Sequence, residues 1–346
     1  MRDASMQERF DARLRMLPPG ALHGLLRRLS GIEEFRGRWN GSTGPAGAVL
    51  RRLREAAIAR SSAASCRMAG ETRPEAVRGY AGALRAVHDG YREMPPTEEQ
   101  LLALHAETFR HLPGERTRAG RYKAGERRDR GDRDFLSEPV ALRAPGPLLV
   151  PAQMETLTGW LSSRLGGGEF HPMLVSAAYL LEFLAIRPFA DGNGRVSRLM
   201  TSLLLLRCGH AYLPCGSIEE AIHGRREEYY LALRRSQASR NLLRPDISPW
   251  LFAFLDAVAA MQREAGEAID RLTAVRTLSA NQAAVMELAA REGEVTNRRA
   301  AAALGLPRET AKQTLNRLVS LGALRRLGSG RATRYRVFDS FPGGAK

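Results

Sequence analysis

The sequence predicts a mainly α-helical protein with a small β-hairpin near its C-terminus. Residues 8–65 repeat apolar side chains at helical spacing, and the turn-forming segment WNGSTGPAG at 39–47 interrupts them. The segment HPMLVSAAYLLEFLAI at 171–186 is apolar on nearly every face, which is typical of a buried central helix. After residue 278, two helical patterns separated by a short turn precede a basic hairpin.

The composition is that of a globular chain with two or more domains. It has 346 residues, of which 44% are hydrophobic and 26% charged. Cys66, Cys208 and Cys215 form no Cys-x-x-Cys pair, which argues against a disulfide framework or a thiolate metal site and fits a reducing cytoplasm. The N-terminus is charged and no apolar run reaches the ~20 residues of a membrane span. We therefore expect a cytoplasmic protein with no membrane partner.

The net charge of +16 favours partners that carry phosphate groups. High-GC coding, which enriches arginine, would give a similar excess without any function. The charge alone therefore favours nucleic acid only slightly.

Further helices are expected near 74–90 and 97–110, followed by a polar, Gly- and Arg-rich stretch at 111–139 where helical periodicity fails. This stretch fits two interpretations equally well. It is either a solvated loop or a basic loop that clamps a substrate beside an anion site.

The segment IRPFADGNGR at 186–195 has the features of an anion-binding turn. Gly192 and Gly194 allow close approach of a ligand to the backbone, and Asn193 tolerates the left-handed region. The following helix adds the positive end of its dipole and presents Arg195 and Arg198 on one face. Asp191 is a hard carboxylate ligand suited to Mg²⁺ bridging phosphate oxygens.

This segment resembles the signature of the Fic family, H-P-F-x-D-G-N-G-R-x-x-R, over PFADGNGRVSR at 188–198. The similarity extends over about residues 50–255 and includes EEYYLALRRSQ at 227–237. The resemblance implies an all-helical core that transfers AMP from ATP to a hydroxyl of a target protein. It implies Mg²⁺ at Asp191, the α-phosphate at Asn193 and the amides of Gly192 and Gly194, and the other phosphates at Arg195 and Arg198. Tyr122 and Lys123, in AGRYK, resemble the start of the flap that positions the target chain.

One position departs from the family's signature, because Arg187 stands where the family has its base histidine. A guanidinium stays protonated and has no acceptor lone pair, so it cannot remove a proton from an attacking hydroxyl. Such a base typically contributes roughly 10²–10⁴-fold to the rate. Among other histidines, His171 is expected at the far end of the buried helix, and His210 and His223 are expected to be structural or surface groups. We expect no replacement base.

A second departure concerns the inhibitory helix S/T-x-x-x-E-G/N found in many Fic proteins. Its glutamate pairs with the second motif arginine. Here Ser65, Ala69 and Gly70 align with the motif, and Ala69 replaces the glutamate. Glu71 lies about 200° further around a continuing helix and should face elsewhere.

The C-terminal segment resembles a winged helix-turn-helix. Thr296 or Asn297 would cap its second helix, and Gly305 would begin the turn before a third helix at 308–320. Leu315, Leu318 and Val319 are expected inward. Residues 278–346 hold 12 Lys and Arg against 5 Asp and Glu. The side chains expected to contact duplex DNA are Arg308, Thr310, Lys312, Gln313 and Arg317 on the helix, and Arg325, Arg326, Arg331 and Arg334 on the wing. A winged domain used for protein contacts is the alternative.

The expected domains are an N-terminal helical region at 1–95 with the degenerate inhibitory helix near 55–70, a Fic core at 96–255, a linker helix at 256–277, and the winged helix at 278–340. Apolar residues of the linker helix recur every three or four positions: Val258, Met261, Ala265, Ile269 and Leu272. This stripe fits packing on the Fic core or a homodimer seam equally well.

Two functions follow from these observations. The first is a catalytically degenerate Fic protein that binds ATP or another phosphorylated ligand and regulates transcription through DNA. The second is a protein adenylyltransferase that is slow or uses an unrecognised base. Arg187 and Ala69 favour the first.

Overall fold

The computed structural model describes residues 2–41, 47–114, 118–125, 144–240, 242–276, 278–321, 323–330 and 333–337. The chain divides into two compact units. The first comprises residues 1–44 and 50–265, and the second comprises 45–49 and 266–346. The predicted regions 1–95 and 96–255 thus fall in one unit.

The N-terminal part of the first unit is helical, as predicted. Its helices are α1 (Arg2–Arg15), α2 (Pro19–Gly41), α3 (Gly47–Met68), α4 (Pro74–Gly90) and α5 (Glu98–Phe109). The structure differs from the prediction in two places, because α2 continues through Gly41 into the expected turn, and the chain breaks at Leu17 and Pro18. The residue before a proline is disfavoured in the α region, which explains this break.

The remaining helices of this unit follow the 111–139 stretch, of which residues 115–117 and 126–139 lie outside the described residues. Helix α7 is the predicted buried helix: it contacts both α6 and α8, and α8 also contacts α4 and α5. The signature segment therefore joins two helices of the core. The helices are α6 (Val150–Leu165), α7 (Pro172–Ile186), α8 (Asn193–Arg207), α9 (Ile218–Gly224), α10 (Arg226–Ser239) and α11 (Ser248–Arg276).

The second unit contains α12 (Ala280–Glu292), α13 (Asn297–Leu304), α14 (Arg308–Ser320), β1 (Leu324–Leu327) and β2 (Arg334–Val337). Its strands are antiparallel, with Leu324 opposite Val337, and Val295 forms a further bridge to Tyr335. Thr296 caps α13 by accepting from the amide of Arg299 at 3.2 Å. Leu315 and Leu318 are buried, and Val319 is partly buried against the same core. The predicted order of helix, turn, helix and hairpin is therefore present.

The predicted linker helix is the C-terminal part of α11. Val258 and Met261 are fully buried in the core of the first unit, so these two positions pack on their own chain. The division between the units falls between Ala265 and Gly266, inside the predicted linker. The Leu272 side chain lies outside the described residues. Among the helices of the described part of the chain, none is both long and apolar enough to cross a membrane.

Candidate functional site

The signature loop begins with an unusual backbone conformation at Arg187. Helix α7 ends at Ile186, and Arg187 caps it with φ of 48° and ψ of 65°, while its amide donates to Phe183 O at 2.9 Å. Within the described residues it is the only non-glycine residue with positive φ. Gly192 also needs positive φ, and a Cβ there would lie 2.6 Å from Cε2 of Phe109. Only glycine therefore fits at 192 without a shift of its surroundings.

The Asn193 side chain closes this loop. Its Nδ2 donates to Phe189 O and its Oδ1 accepts from Phe189 N, both at 2.9 Å. Both ends of the side-chain amide are therefore used within the protein, and the residue as a whole is 5% exposed. Asn193 can therefore contact a phosphate only through its backbone amide. This amide lies in the first turn of α8, where no helical carbonyl four residues earlier is present to accept from it.

His105, from α5, packs against the signature loop. It was not identified from the sequence. Its ring stacks on Phe189 with centroids 3.8 Å apart and planes within 6°. Nδ1 accepts from the Gly120 amide at 2.9 Å, so Nε2 carries the proton and donates to Asp191 O at 3.1 Å. Burial lowers the pKa of His105 to about 4. It is thus a neutral spacer whose lone pair is occupied, which makes it unsuited to act as a base in this geometry.

Arg195 is a buried cation with unused donors. Its side chain is 1% exposed, its Nη2 donates to Asp191 Oδ2 at 3.1 Å, and its guanidinium lies 4.4 Å from the ring centroid of Phe109. Its Nε and Nη1 have no hydrogen-bond partner among the described residues. A buried charged donor without a partner is costly, and an anion would satisfy it.

Asp191 is the candidate ligand for Mg²⁺. Its Oδ1 accepts from the Gly192 amide at 2.5 Å, and its side chain is 58% exposed. The described residues contain no group of three or more His, Cys, Asp or Glu arranged to hold a metal. One exposed carboxylate completed by phosphate oxygens and water is a common way for proteins to bind Mg²⁺. The residues present fit that kind of site.

Arg198 is held by the end of α3. Its Nε donates to Ser65 Oγ and its Nη2 to Ser65 O, both at 2.9 Å, and the residue is 4% exposed. Beyond Ser65, Tyr80 donates to Oε1 of the buried Glu219 at 2.7 Å. Burial opposes the charged form of Arg198, but Tyr230, Tyr80 and Glu219 hold its pKa above the usual value.

The segment after Ser65 places Ala69 and Gly70 just beyond the end of α3. Gly70 has φ of 65°, so the chain has left the helix before Glu71. The expectation that Glu71 continues the helix was therefore wrong. The Glu71 carboxylate accepts from Arg73 Nε at 2.9 Å, and this bond with the nearby charges of Arg73 and Arg195 holds its pKa below the usual value.

A cleft joins the start of α8 to one face of α10. Arg187, Gly194 and Arg198 line one side, and Tyr229 and Tyr230 line another. Its free volume is about 20 Å³, which is room for about one water molecule. Any larger ligand therefore requires movement of the side chains at its mouth.

Tyr122 and Lys123 lie against the signature loop. The Lys123 amide donates to Pro188 O at 2.9 Å, and its Nζ donates to Ile186 O at 3.3 Å. The ring of Tyr122 lies 5.7 Å from that of Phe189, and burial raises the pKa of Tyr122. The backbone of this segment is thus hydrogen-bonded to the loop.

Most of the side chains predicted to contact DNA are exposed in the second unit. Thr310 is partly buried and Arg331 lies outside the described residues. Arg334 lies 3.5 Å from Glu294, which also binds Arg336, so part of its charge is neutralised. The exposed ones are Arg308, Lys312, Gln313, Arg317, Arg325, Arg326 and Arg334.

The three histidines with an expectation from the sequence lie where it suggested. His171 is the N-cap of α7, where Nδ1 accepts from the Met173 amide at 3.3 Å. His210 is fully buried, with Nδ1 2.8 Å from the hydroxyl of Tyr212. His223 is partly buried near the end of α9.

Comparison with known proteins finds relatives that match a short stretch of the chain. Over 66 residues the chain is 39% identical to the protein adenylyltransferase Fic of Aedes aegypti, and 38% identical to that of Drosophila melanogaster. The match covers 19% of this chain and 13% of each relative. The chain thus spans a small part of the curated relatives it matches.

Solved structures extend the similarity. A Fic family protein from Desulfovibrio desulfuricans G20 is 26% identical, with a TM-score of 0.55, over 93% of this chain and 97% of that chain. A Fic domain containing signaling protein from Bacteroides thetaiotaomicron shares the fold at 18% identity, with a TM-score of 0.52, over 69% of this chain and 96% of that chain. The Fic/DOC family model matches residues 95–205, which run from α5 to α8. This chain therefore carries a domain of the Fic/DOC family.

Proposed function

We propose that this chain is a catalytically degenerate Fic-domain protein that binds ATP or another phosphorylated nucleotide. The observation that carries the proposal is Arg195, whose buried Nε and Nη1 meet no partner among the described residues. A phosphate at the N-terminus of α8 would supply acceptors for them and for the free amides of the first turn. The neighbouring cleft is lined by the cations Arg187 and Arg198 and by the rings of Tyr229 and Tyr230, groups that suit a phosphate and a base.

The roles of the loop residues follow from their positions. The amides of Asn193 and Gly194 would face the α-phosphate, joined by that of Gly192 if it releases Asp191 Oδ1. Arg195 and Arg198 would face the other phosphates. Asp191 would hold Mg²⁺, which would neutralise phosphate charge when bound. Tyr122 and Lys123 would position a target chain.

The degenerate character rests on Arg187. It lines the cleft at the position of the family's base and cannot accept a proton. His105 offers no substitute, because its Nδ1 already accepts from Gly120 and its pKa is lowered to about 4. The test is a calorimetric titration with ATP, with and without Mg²⁺. Absence of binding at millimolar nucleotide would remove the proposal.

Protein adenylyltransferase activity is the second candidate. The name of the matched relatives and the otherwise complete signature from Pro188 to Arg198 favour it. Incubation with labelled ATP and Mg²⁺, alone and with host lysate, separates the two functions. Robust transfer by the unmodified chain supports the enzyme, and binding without transfer supports the degenerate protein.

The second unit would act as a DNA-binding winged helix and make the chain a ligand-responsive transcription regulator. Three helices followed by a hairpin, with α14 presenting Lys312, Gln313 and Arg317 to solvent, support this assignment. DNA sites read by such domains commonly consist of two half-sites, so a homodimer is part of this proposal. A shift assay with duplex DNA at increasing salt tests it.

A further inference from the structure

A second cavity, of about 580 Å³, lies between α1, α6, the last turns of α7 and the segment that follows α10. We call it the α1 cavity. It shares no lining residue with the cleft at α8. Its volume lies within the ~300–1,000 Å³ of small-molecule sites. It is therefore large enough for a ligand of its own.

The charged groups of the α1 cavity are mostly cationic. Glu182, whose side chain is 3% exposed, accepts from Arg13 and lies 3.7 Å from Nη2 of Arg240. Arg9 also lines the cavity. The lining thus holds three guanidinium groups and one carboxylate. The buried Nε of Arg240 has no partner among the described residues, so an acceptor is missing at this point.

Apolar side chains form much of the rest of the wall. Phe10 and Ile186 are buried, whereas Met16, Leu242 and Leu243 are 52%, 62% and 97% exposed. Large apolar side chains that remain in water around a cavity commonly mark a site for an apolar group. The lining therefore favours a ligand with a sizeable apolar part.

We propose that the α1 cavity binds an amphipathic anion, with an acyl-like apolar chain and one carboxylate or phosphate head. The head would accept from Arg240, whose Nε lacks an acceptor among the described residues, and would lie near the cationic Arg9. The chain would lie along Met16, Leu242 and Leu243 and remove them from water. A cationic amphiphile would meet three arginines, and a small anion would leave the apolar wall exposed.

The test is calorimetry on the full chain with decanoate, below its micelle concentration, against decyltrimethylammonium and inorganic phosphate. Decanoate should bind at least tenfold more tightly than either, because only it satisfies both parts of the cavity. Arg240→Gln should weaken decanoate by about 10–150-fold, the range for losing a charge-assisted hydrogen bond. Arg244→Gln is the matched control, since Arg244 is exposed and does not line the cavity, and it should leave the affinity unchanged.

Leu243→Asn tests the apolar part. Leu243 is 97% exposed, so this change should leave folding intact while weakening decanoate, and it keeps the test decisive if Arg240→Gln does not fold. Equal affinity for decanoate and decyltrimethylammonium, or an affinity unchanged by both variants, would overturn the proposal. Sedimentation with phosphatidylglycerol vesicles separates the sources of the head group. Vesicle binding without decanoate binding would indicate that the chain binds a membrane surface, and it would also overturn the proposed ligand of the α1 cavity.

Discussion

Ser65 binds Arg198 with two of its atoms, the hydroxyl and the carbonyl oxygen, each at 2.9 Å. Ser65→Ala removes the hydroxyl and leaves the Nε of a buried guanidinium without an acceptor. We expect a loss of about 1.5–3 kcal/mol in the free energy of unfolding, the range for hydrogen bonds to charged groups. Urea denaturation measures it.

The control is Ser62→Ala, on the same helix. Ser62 is fully buried, but its hydroxyl donates only to Ile58 O of α3 itself. It should cost clearly less than Ser65→Ala. Equal losses in the two variants would mean that the contact with Arg198 adds nothing to stability.

Nucleotide affinity should depend on Gly194. A Cβ at 194 would lie 3.3 Å from Nη1 of Arg198, so Gly194→Val crowds the guanidinium and the first-turn amides. We expect ATP binding to weaken by about 10–150-fold in calorimetry, as for loss of a charge-assisted contact. Gly37→Val, at an exposed glycine of α2 with open space around it, is the control. Binding that survives Gly194→Val would place the nucleotide elsewhere.

Arg187→His should create AMP transfer, first visible as self-modification with labelled ATP. The wild-type chain should show little or none, and the gain should reach roughly 10²–10⁴-fold, the usual contribution of a positioned base. Adding Ala69→Glu to this variant should suppress transfer, because the new carboxylate would pair with Arg198.

Each outcome of this series of variants tests one assumption. Robust transfer by the wild type would refute the degenerate-enzyme proposal. An inert Arg187→His would mean that more than the base is lost. A double variant as active as Arg187→His would show that Ala69 is misaligned with the inhibitory glutamate.

The second unit should give the full chain a salt-dependent affinity for duplex DNA. Each phosphate contact contributes a slope of about −0.9 in log affinity against log salt. Lys312→Ala or Arg317→Ala should lower the affinity, and Gln313→Ala should relax sequence preference if Gln313 reads a base. Arg78→Ala, at an exposed position of α4, is the control. Absent or salt-insensitive binding would favour a role in protein contacts.

Stability should fall as the pH drops from about 6.5 towards 4. Burial lowers the pKa of His105 and His210 to about 4 and that of His88 to about 3. At these pH values the unfolded chain therefore binds protons that the folded chain does not. Each histidine adds up to about 1.4 kcal/mol per pH unit to the slope of the free energy of unfolding against pH. Denaturation at several pH values should show a smaller slope in His105→Gln. The exposed His23→Gln should retain the full slope.

Much of the core was predictable because its signals are local. The apolar run of α7 and the glycines of the signature loop identify the elements from their own residues, and the structure places α8 directly after that loop. The order of helices and strands in the second unit is confirmed for the same reason. The break at Leu17 was missed although its cause, Pro18, is local. The extension of α2 through Gly41 was missed because it depends on distant contacts, in which Trp39 packs on Tyr212 and Asn40 donates to Gly209 O.

The contacts of the site were less predictable because they join distant parts of the chain. His105 lies 86 residues before Asp191, and nothing in its own surroundings marks it as the support of the loop. Arg198 meets Ser65 across 133 residues. For Asn193, the signature identified the residue but not that its side chain closes the loop on Phe189.

The backbone at Arg187 bears on how readily this position changes. Outside glycine, the left-handed region is best tolerated by asparagine, aspartate and histidine. The φ of 48° therefore disfavours the arginine now present more than it would a histidine. The conformation that a histidine would need is already built into the chain, so regaining one requires no remodelling of the main chain.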